Sequence, residues 1–321
     1  MGKTKLLVTA GCGFIGSNFI NYIFESGKYS IVNFDAMYYC ANETNVDEII
    51  RQHPDYKLVK GNLCSEDLVR HVLETHEIEE VVHFAAQSHV QNSFDDSLQF
   101  TKDNILGTHV LLECCRKYGN IRKFVHVSTD EVYGESMNSV DELHKTEHSV
   151  LCPTNPYAAT KAGAELIAQS YNHSYKMPII ISRGNNVYGP NQYPEKLIPR
   201  FIQQLRSGKP VTIQGDGSVV RAFLHAHDTA RAFECILEKG VIGEIYNIGC
   251  DEDMEYSVMD VAKMLIRKII KCENVEDWVT YIDDRPFNDQ RYYISNMKLH
   301  DLGWTIEIPF EKGIDDLLTY K

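Results

Sequence analysis

Tyr157 and Lys161 stand four residues apart, one helical turn, in the run Pro156-Tyr157-Ala158-Ala159-Thr160-Lys161. A phenol with an ordinary pKa of about 10 takes up no proton at neutral pH unless its phenolate is favoured. An ammonium on the next turn beside the ring oxygen supplies that bias. Upstream, Ser128-Thr129-Asp130-Glu131-Val132-Tyr133-Gly134 follows an apolar run and sets two carboxylates side by side. Oxidising an alcohol needs the tyrosine but neither carboxylate. Removing water beside the oxidised carbon needs an acid and a base, and Asp130 and Glu131 offer that pair. A capping turn would account for either carboxylate alone but accounts poorly for both.

Gly11-Cys12-Gly13-Phe14-Ile15-Gly16 comes after Leu6-Leu7-Val8 and opens a helical pattern. Glycines there permit a tight turn, close approach to a pyrophosphate and close helix–strand packing, while the helix N-terminus offers free N–H groups. Asp35 ends the second apolar run, near the usual ~20-residue spacing, where a carboxylate accepts from ribose hydroxyls. Such a carboxylate repels a 2′-phosphate, so NAD is expected rather than NADP. A bound nicotinamide cation would favour the Tyr157 phenolate further.

These residues need a frame. Short β-branched runs (Leu6-Leu7-Val8, Ile31-Val32, Leu58-Val59, Val81-Val82, Phe124-Val125, Ile179-Ile180-Ile181) alternate with helical stretches near 17–24, 66–75, 99–118 and 156–175. That rhythm predicts an α/β fold, a doubly wound parallel Rossmann sheet. After about Asn185 the rhythm breaks among Pro190, Pro194, Pro199 and Pro210. A smaller, interleaved C-terminal substrate lobe is expected, with residues 1–184 plus 222–248 binding the dinucleotide and 185–221 plus 249–321 the substrate.

Among 321 residues, a hydrophobic share of 43% and a charged share of 24% are those of an ordinary globular enzyme. The net charge of -13 argues against a nucleic-acid or anionic-membrane partner. It leaves room for an anionic small molecule held by a few local cations. Nine cysteines show no ligand spacing, nor do His83 and His89. Free thiols, no metal and a cytoplasmic location are the expectation. No leader or membrane-spanning run is evident.

Taken together, the motifs resemble the extended short-chain dehydrogenase/reductase family. In that family the turn reads Gly-x-x-Gly-x-x-Gly, and Ala10 replaces its first glycine here. The resemblance implies NAD contacts from Gly11, Gly13, Phe14, Ile15, Gly16 and Asp35, and from Tyr157 and Lys161. It adds Asn62 and Leu63 beside the adenine, and Phe84, Ala85, Ala86 and Ser88 along the cofactor's middle. Asn62 stands where the family usually has aspartate, and its amide oxygen is expected to accept in its place.

Within the family, the 128–134 run is similar to that of nucleotide-sugar 4,6-dehydratases. Arg183-Gly184-Asn185-Asn186-Val187-Tyr188-Gly189-Pro190, Pro194-Glu195-Lys196-Leu197-Ile198-Pro199 and the 284–292 stretch resemble UDP-glucose 4,6-dehydratases most, including the dehydratase part of plant rhamnose synthases. The implied reaction is redox-neutral: NAD takes the C4 hydride of the sugar, water leaves across C5 and C6, and hydride returns to C6. Tyr157 and Lys161 serve the oxidation, Thr129 aligns the 4-oxygen, Glu131 is the C5 base and Asp130 the acid. A UDP-sugar is expected against Ser88, Thr129, Asn186, Glu195, Lys196 and Leu197, with Arg221 and Arg285 on the diphosphate and Asn247 and Asn288 near the nucleoside. The family forms a homodimer through a four-helix interface that includes the Tyr157 helix. dTDP-glucose dehydration is the alternative. A sensor that has lost the chemistry is remote, because Tyr157, Lys161, Asp130 and Glu131 are all present. Gln91-Asn92 departs from the Asp-Arg of bacterial dTDP-sugar members.

Overall fold

The structure, a computed structural model, describes residues 2–136, 144–251, 254–283 and 291–320. In chain order its strands are β1 (Thr4–Thr9), β2 (Tyr29–Asp35), β3 (Tyr56–Lys60), β4 (Glu80–His83), β5 (Lys123–Thr129), β6 (Ile179–Gly184), β7 (Asn186–Tyr188), β8 (Val211–Gln214), β9 (Val220–His225), β10 (Ile245–Ile248), β11 (Glu255–Ser257) and β12 (Val279–Ile282). Seven form one sheet in the order β10-β6-β5-β4-β1-β2-β3. Every neighbouring pair in it is parallel.

Parallel strands covered on both faces must be apolar at successive positions. Leu6 and Val8 face one buried cluster and Leu7 the other; Val81 and Val82, Phe124 and Val125, and Ile180 against Ile179 and Ile181 divide the same way. The helices Phe14–Phe24 and Ala226–Lys239 pack together in the first cluster. Glu66–Thr75, Gly107–Tyr118 and Pro156–Tyr175 cover the other face. The sheet order reverses at β1, whose neighbours are β2 and β4, so the carboxyl ends of the strands open a crevice there.

A second group of elements stands over those ends. β9 pairs in parallel with β7 and antiparallel with β11, β8 pairs with β12, and the helices Leu197–Arg206 and Val258–Ile270 pack together. Because β9 belongs to this small sheet, residues 222–225 sit with the smaller group rather than with the cofactor half as expected. The chain rejoins the large sheet's cover at the helix Ala226–Lys239. Phe201, Ile213, Leu265 and Ile266 continue the same apolar cluster as Leu6 and Val8, so the two groups share a core.

The helix expected over 99–118 is interrupted. Ser97–Phe100 gives way to a wide π turn at Thr101–Leu106 before Gly107–Tyr118 resumes. That turn places the buried Asn104 side chain to donate to the Gln87 carbonyl (3.1 Å) and to Thr160 Oγ1 (2.9 Å). One amide thereby ties the strand-end loop to the Tyr157 helix.

Candidate active site

A cleft of about 480 Å³ runs across the carboxyl ends of the large sheet. Ala10, Gly13, Phe14, Ile15, Gly16, Asp35, Asn62, Leu63, Phe84, Ala85, Ala86 and Ser88 line its dinucleotide half. A Cβ on Gly16 would stand 2.4 Å from the Ala10 carbonyl, so only glycine lets the helix begin there. Gly13 caps that helix with no side-chain hydrogen bond, leaving first-turn N–H groups for a pyrophosphate. The cradle therefore fits a dinucleotide. Gly11 does not line the cleft as expected: its missing Cβ would lie 2.4 Å from both Asn33 Oδ1 and Ile20 Cδ1, so it serves packing. Ala10 faces the cleft instead, at a φ of 55°.

Asp35 is nearly buried and accepts from the backbone N–H groups of Cys12 (2.9 Å) and Met37 (2.7 Å). Burial raises its carboxyl against those two donors. Asn62 lines the cleft, where its Oδ1 accepts from Cys64 N at 2.8 Å and its Nδ2 donates to Tyr38 Oη at 2.9 Å. Tyr38 Oη in turn donates to Asp103 Oδ1 (3.1 Å), and Tyr39 Oη to Glu195 Oε1 (3.0 Å). Asn92 Nδ2 reaches Tyr39 Oη at 3.3 Å, which gives Asn92 a place in this bridge.

At the far end, β5 delivers Thr129 and a 3-10 turn, Asp130–Tyr133, carries both carboxylates. Asp130 is 3% exposed. Its oxygens accept from Asn185 Nδ2 (2.6 Å) and Thr129 Oγ1 (3.1 Å). Burial, then the Glu131 charge, pushes its carboxyl up to about 7, against Asn185, Thr129 and Arg221. An acid proton at neutral pH follows from that environment. Glu131 is half-buried and accepts on Oε2 from Asn155 Nδ2 at 3.0 Å.

Tyr157 and Lys161 are both buried against this turn. The expected depression of the phenol by the lysine is not what the protein alone produces. Burial, then the charge of Glu131, pushes Tyr157 up, with Thr129 opposing. Lys161 Nζ donates to the Val127 carbonyl at 2.6 Å, and its own burial lowers it to about 8. Burial and the two neighbouring carboxylates thus act against the phenolate in the protein alone.

Asn186, Glu195, Lys196, Leu197 and Arg221 line the rest of the cleft with Ser88, whose carbonyl accepts from Lys196 Nζ at 3.0 Å. The Arg221 guanidinium lies 5.2 Å from the centre of the Tyr292 ring. Asn247 is a correction. It is fully buried, with Oδ1 accepting from Tyr133 Oη (2.8 Å) and Nδ2 donating to the Lys145 carbonyl (3.3 Å), so it braces the catalytic turn outside the cleft. Arg285 and Asn288 lie outside the described residues. Sequence reasoning missed Asn155, Asn185 and the cleft-lining Arg200. Asn155 had a signal, an asparagine before proline at a helix start; the other two are brought in by the fold alone. Among the described residues no His, Cys, Asp and Glu group is placed to hold a metal, and no helix is long and apolar enough to cross a membrane.

The GDP-mannose 4,6 dehydratase family profile matches residues 7–317. A trifunctional UDP-glucose 4,6-dehydratase/UDP-4-keto-6-deoxy-D-glucose 3,5-epimerase/UDP-4-keto-L-rhamnose-reductase of Arabidopsis thaliana is 48% identical over 97% of this chain and 46% of its own length. The chain thus spans about half the length of the curated plant relatives it matches. The dTDP-D-glucose 4,6-dehydratase of Homo sapiens is 44% identical over 97% of this chain and 87% of that one. The crystal structure of dTDP-glucose 4,6-dehydratase from Bacillus anthracis in complex with NAD superposes with a TM-score of 0.89 at 38% identity, covering 98% of this chain and 95% of that one. The chain belongs to the GDP-mannose 4,6-dehydratase family.

Proposed function

We propose that this family member is an NAD-dependent nucleotide-sugar 4,6-dehydratase whose substrate is UDP-glucose and whose product is UDP-4-keto-6-deoxyglucose. The observation that carries the reading is the pair Asp130 and Glu131 on one turn against Tyr157, with Asp130 held near neutrality. The glycine turn at Gly13 and Gly16 with Asp35 would hold NAD, which would supply a reversible hydride acceptor, so no outside reductant would be consumed.

The chain's own residues do the rest. Tyr157, as the phenolate that the positive charge of a bound nicotinamide would favour, takes the proton of the sugar's 4-hydroxyl, and Thr129 aligns that oxygen. A ketone at C4 acidifies the hydrogen on C5, which Glu131 removes. Asp130 gives its proton to the departing 6-hydroxyl, which leaves as water. Lys196 and Arg221 meet the diphosphate, with arginine suited to bidentate contact. The sheet-end location and the burial of Asp130, Tyr157 and Lys161 keep this chemistry dry.

UDP is favoured over dTDP by the likeness to the plant proteins and by Phe287-Asn288, which replaces the Gly-His usual in dTDP-type members. A ring methyl discriminates by only about 1–3 kcal/mol, whereas a site built to hydrogen-bond the ribose 2′-hydroxyl rejects its absence more strongly. The similarity to human dTDP-D-glucose 4,6-dehydratase supports the second reading, dTDP-glucose. Purified protein is given each nucleotide sugar with NAD, and loss of water is followed by mass spectrometry. A higher kcat/KM for UDP-glucose is expected, with Asn288→Ala narrowing the gap. Equal efficiency on the two sugars would restore the dTDP reading.

A further inference from the structure

Each catalytic carboxylate is held by a side-chain amide built the same way. Asn155 Oδ1 accepts from the Ala158 N–H (2.8 Å) and Asn185 Oδ1 accepts from the Cys250 N–H (2.9 Å). A backbone N–H requires an oxygen opposite it, so the flip of each amide is settled without reference to the carboxylate. The NH2 ends must then face Glu131 Oε2 (3.0 Å) and Asp130 Oδ2 (2.6 Å). Both asparagines are 6–8% exposed, so neither amide is free to turn into water. Asn155 caps the Tyr157 helix, and Asn185 joins β6 to the loop after β10.

We propose that Asn155 and Asn185 are positioning residues that divide the labour of the two carboxylates: Asn155 holds Glu131 as the ionised base, and Asn185 confines the acid proton of Asp130 to Oδ1. This rests on the dehydratase reading above. An NH2 group offers only hydrogens and cannot accept, so the acid proton is disfavoured on the oxygen facing it. The proton of Asp130 therefore goes to Oδ1: the Thr129 hydroxyl, which donates to that oxygen at 3.1 Å when it is ionised, can rotate to accept from it, whereas the Asn185 NH2 can only donate. In the elimination the C5–H electron pair becomes the C5–C6 double bond and the C5 hydrogen goes to Glu131. The C6–O bond breaks as Asp130 Oδ1 supplies the proton that completes water. Nothing is oxidised or reduced in this step. Among the described residues, the other charged or titratable groups acting on Asp130 include Glu131 from the same turn and Arg221 from β9, with Tyr157 from its helix and Cys250 from the loop after β10 also close. Glu131 faces Asp130 and Tyr157 as well as Asn155.

The test uses Asn155→Ser, which keeps a capping hydroxyl but loses the NH2, and Asn185→Ala, each checked by thermal melting. With the nucleotide sugar that the unmodified enzyme dehydrates, kcat should fall about 10- to 100-fold with little change in KM. Losing a donor raises a carboxyl pKa. The acid limb of kcat should thus move up in Asn155→Ser, and the alkaline limb should move up in Asn185→Ala. The isotope effect from C5 deuteration should grow in both. A kcat loss with unmoved limbs and an unchanged isotope effect would make both residues merely structural and overturn the proposal, as would wild-type kcat in either. Carbon NMR titration of Asp130 in unliganded protein reads the Asn185 arm without turnover. If the unmodified enzyme dehydrates neither sugar, the dehydratase reading fails, and an Asp130 titration that does not move in Asn185→Ala overturns this proposal separately.

Discussion

Asp130 is a burden on the fold, and under the proposed function that burden is the acid of the elimination. Its carboxyl rises from 3.8 to about 7 on folding, chiefly through burial. A raised folded value means that the native state binds the proton more tightly than the unfolded chain. The stability this supplies is complete below pH 3.8 and is lost as pH rises through about 7. Asp130→Asn keeps the shape without the charge, so it should raise the melting temperature at pH ~8 and change it little at pH ~4, while abolishing dehydration. Equal melting shifts at both pH values would remove Asp130 as the titrating group. Ala10 is a second local cost. Its φ of 55° is left-handed, a strain of about 1–2 kcal/mol for a residue with a Cβ, partly offset because glycine loses more entropy. Ala10→Gly should therefore leave stability unchanged or raise it by up to about 1 kcal/mol in urea unfolding.

The element on which the site depends is the helix Pro156–Tyr175, which presents Tyr157 and Lys161 and is anchored deep in the protein by a charge pair. Arg183 of β6 hydrogen-bonds Glu165 on that helix, and both side chains are essentially inaccessible. Arg183 also donates to Tyr133 Oη (2.7 Å) and to the Glu147 carbonyl (3.1 Å), and its guanidinium lies over the Tyr133 ring. One arginine thus fixes the helix with the tyrosine and the turn with the carboxylates to the same strand. Removing one partner of such a pair strands a buried charge. Glu165→Ala should cost about 3–5 kcal/mol in chemical unfolding, and Arg183→Met in the same chain should restore part of it. A cost below about 1 kcal/mol would show that Arg183 finds water instead.

Across the whole molecule, what was legible in the sequence is what depends on local chemistry. Successive apolar residues in β4, β5 and β6 announce strands buried on both faces, and Pro156–Tyr175 keeps the helical bounds expected for it. Glycines and carboxylates in short runs pointed to residues that the fold gathers at one cleft, among them Gly13, Gly16 and Glu131. Features set by contacts distant in sequence were not legible: Asn247 turns inward to Tyr133, Asn185 reaches Asp130, and β9 leaves the large sheet for β7 and β11. The same limit applies to assembly, where the expected homodimer stands as a proposal with a surface to test. Leu98 is 80% exposed, Leu106 47% and Leu166 55%, on segments that pack against one another along the Tyr157 helix. Three solvent-facing leucines on adjoining helices form a face that a second copy, related by a two-fold axis, would cover with the same residues. Leu106→Glu combined with Leu166→Glu places two carboxylates, and in the pair four, at the centre of that contact. Sedimentation should show a dimer for the unmodified chain and a monomer for the variant, with an unchanged far-UV spectrum. A variant that stays dimeric would move the interface to another face of the molecule.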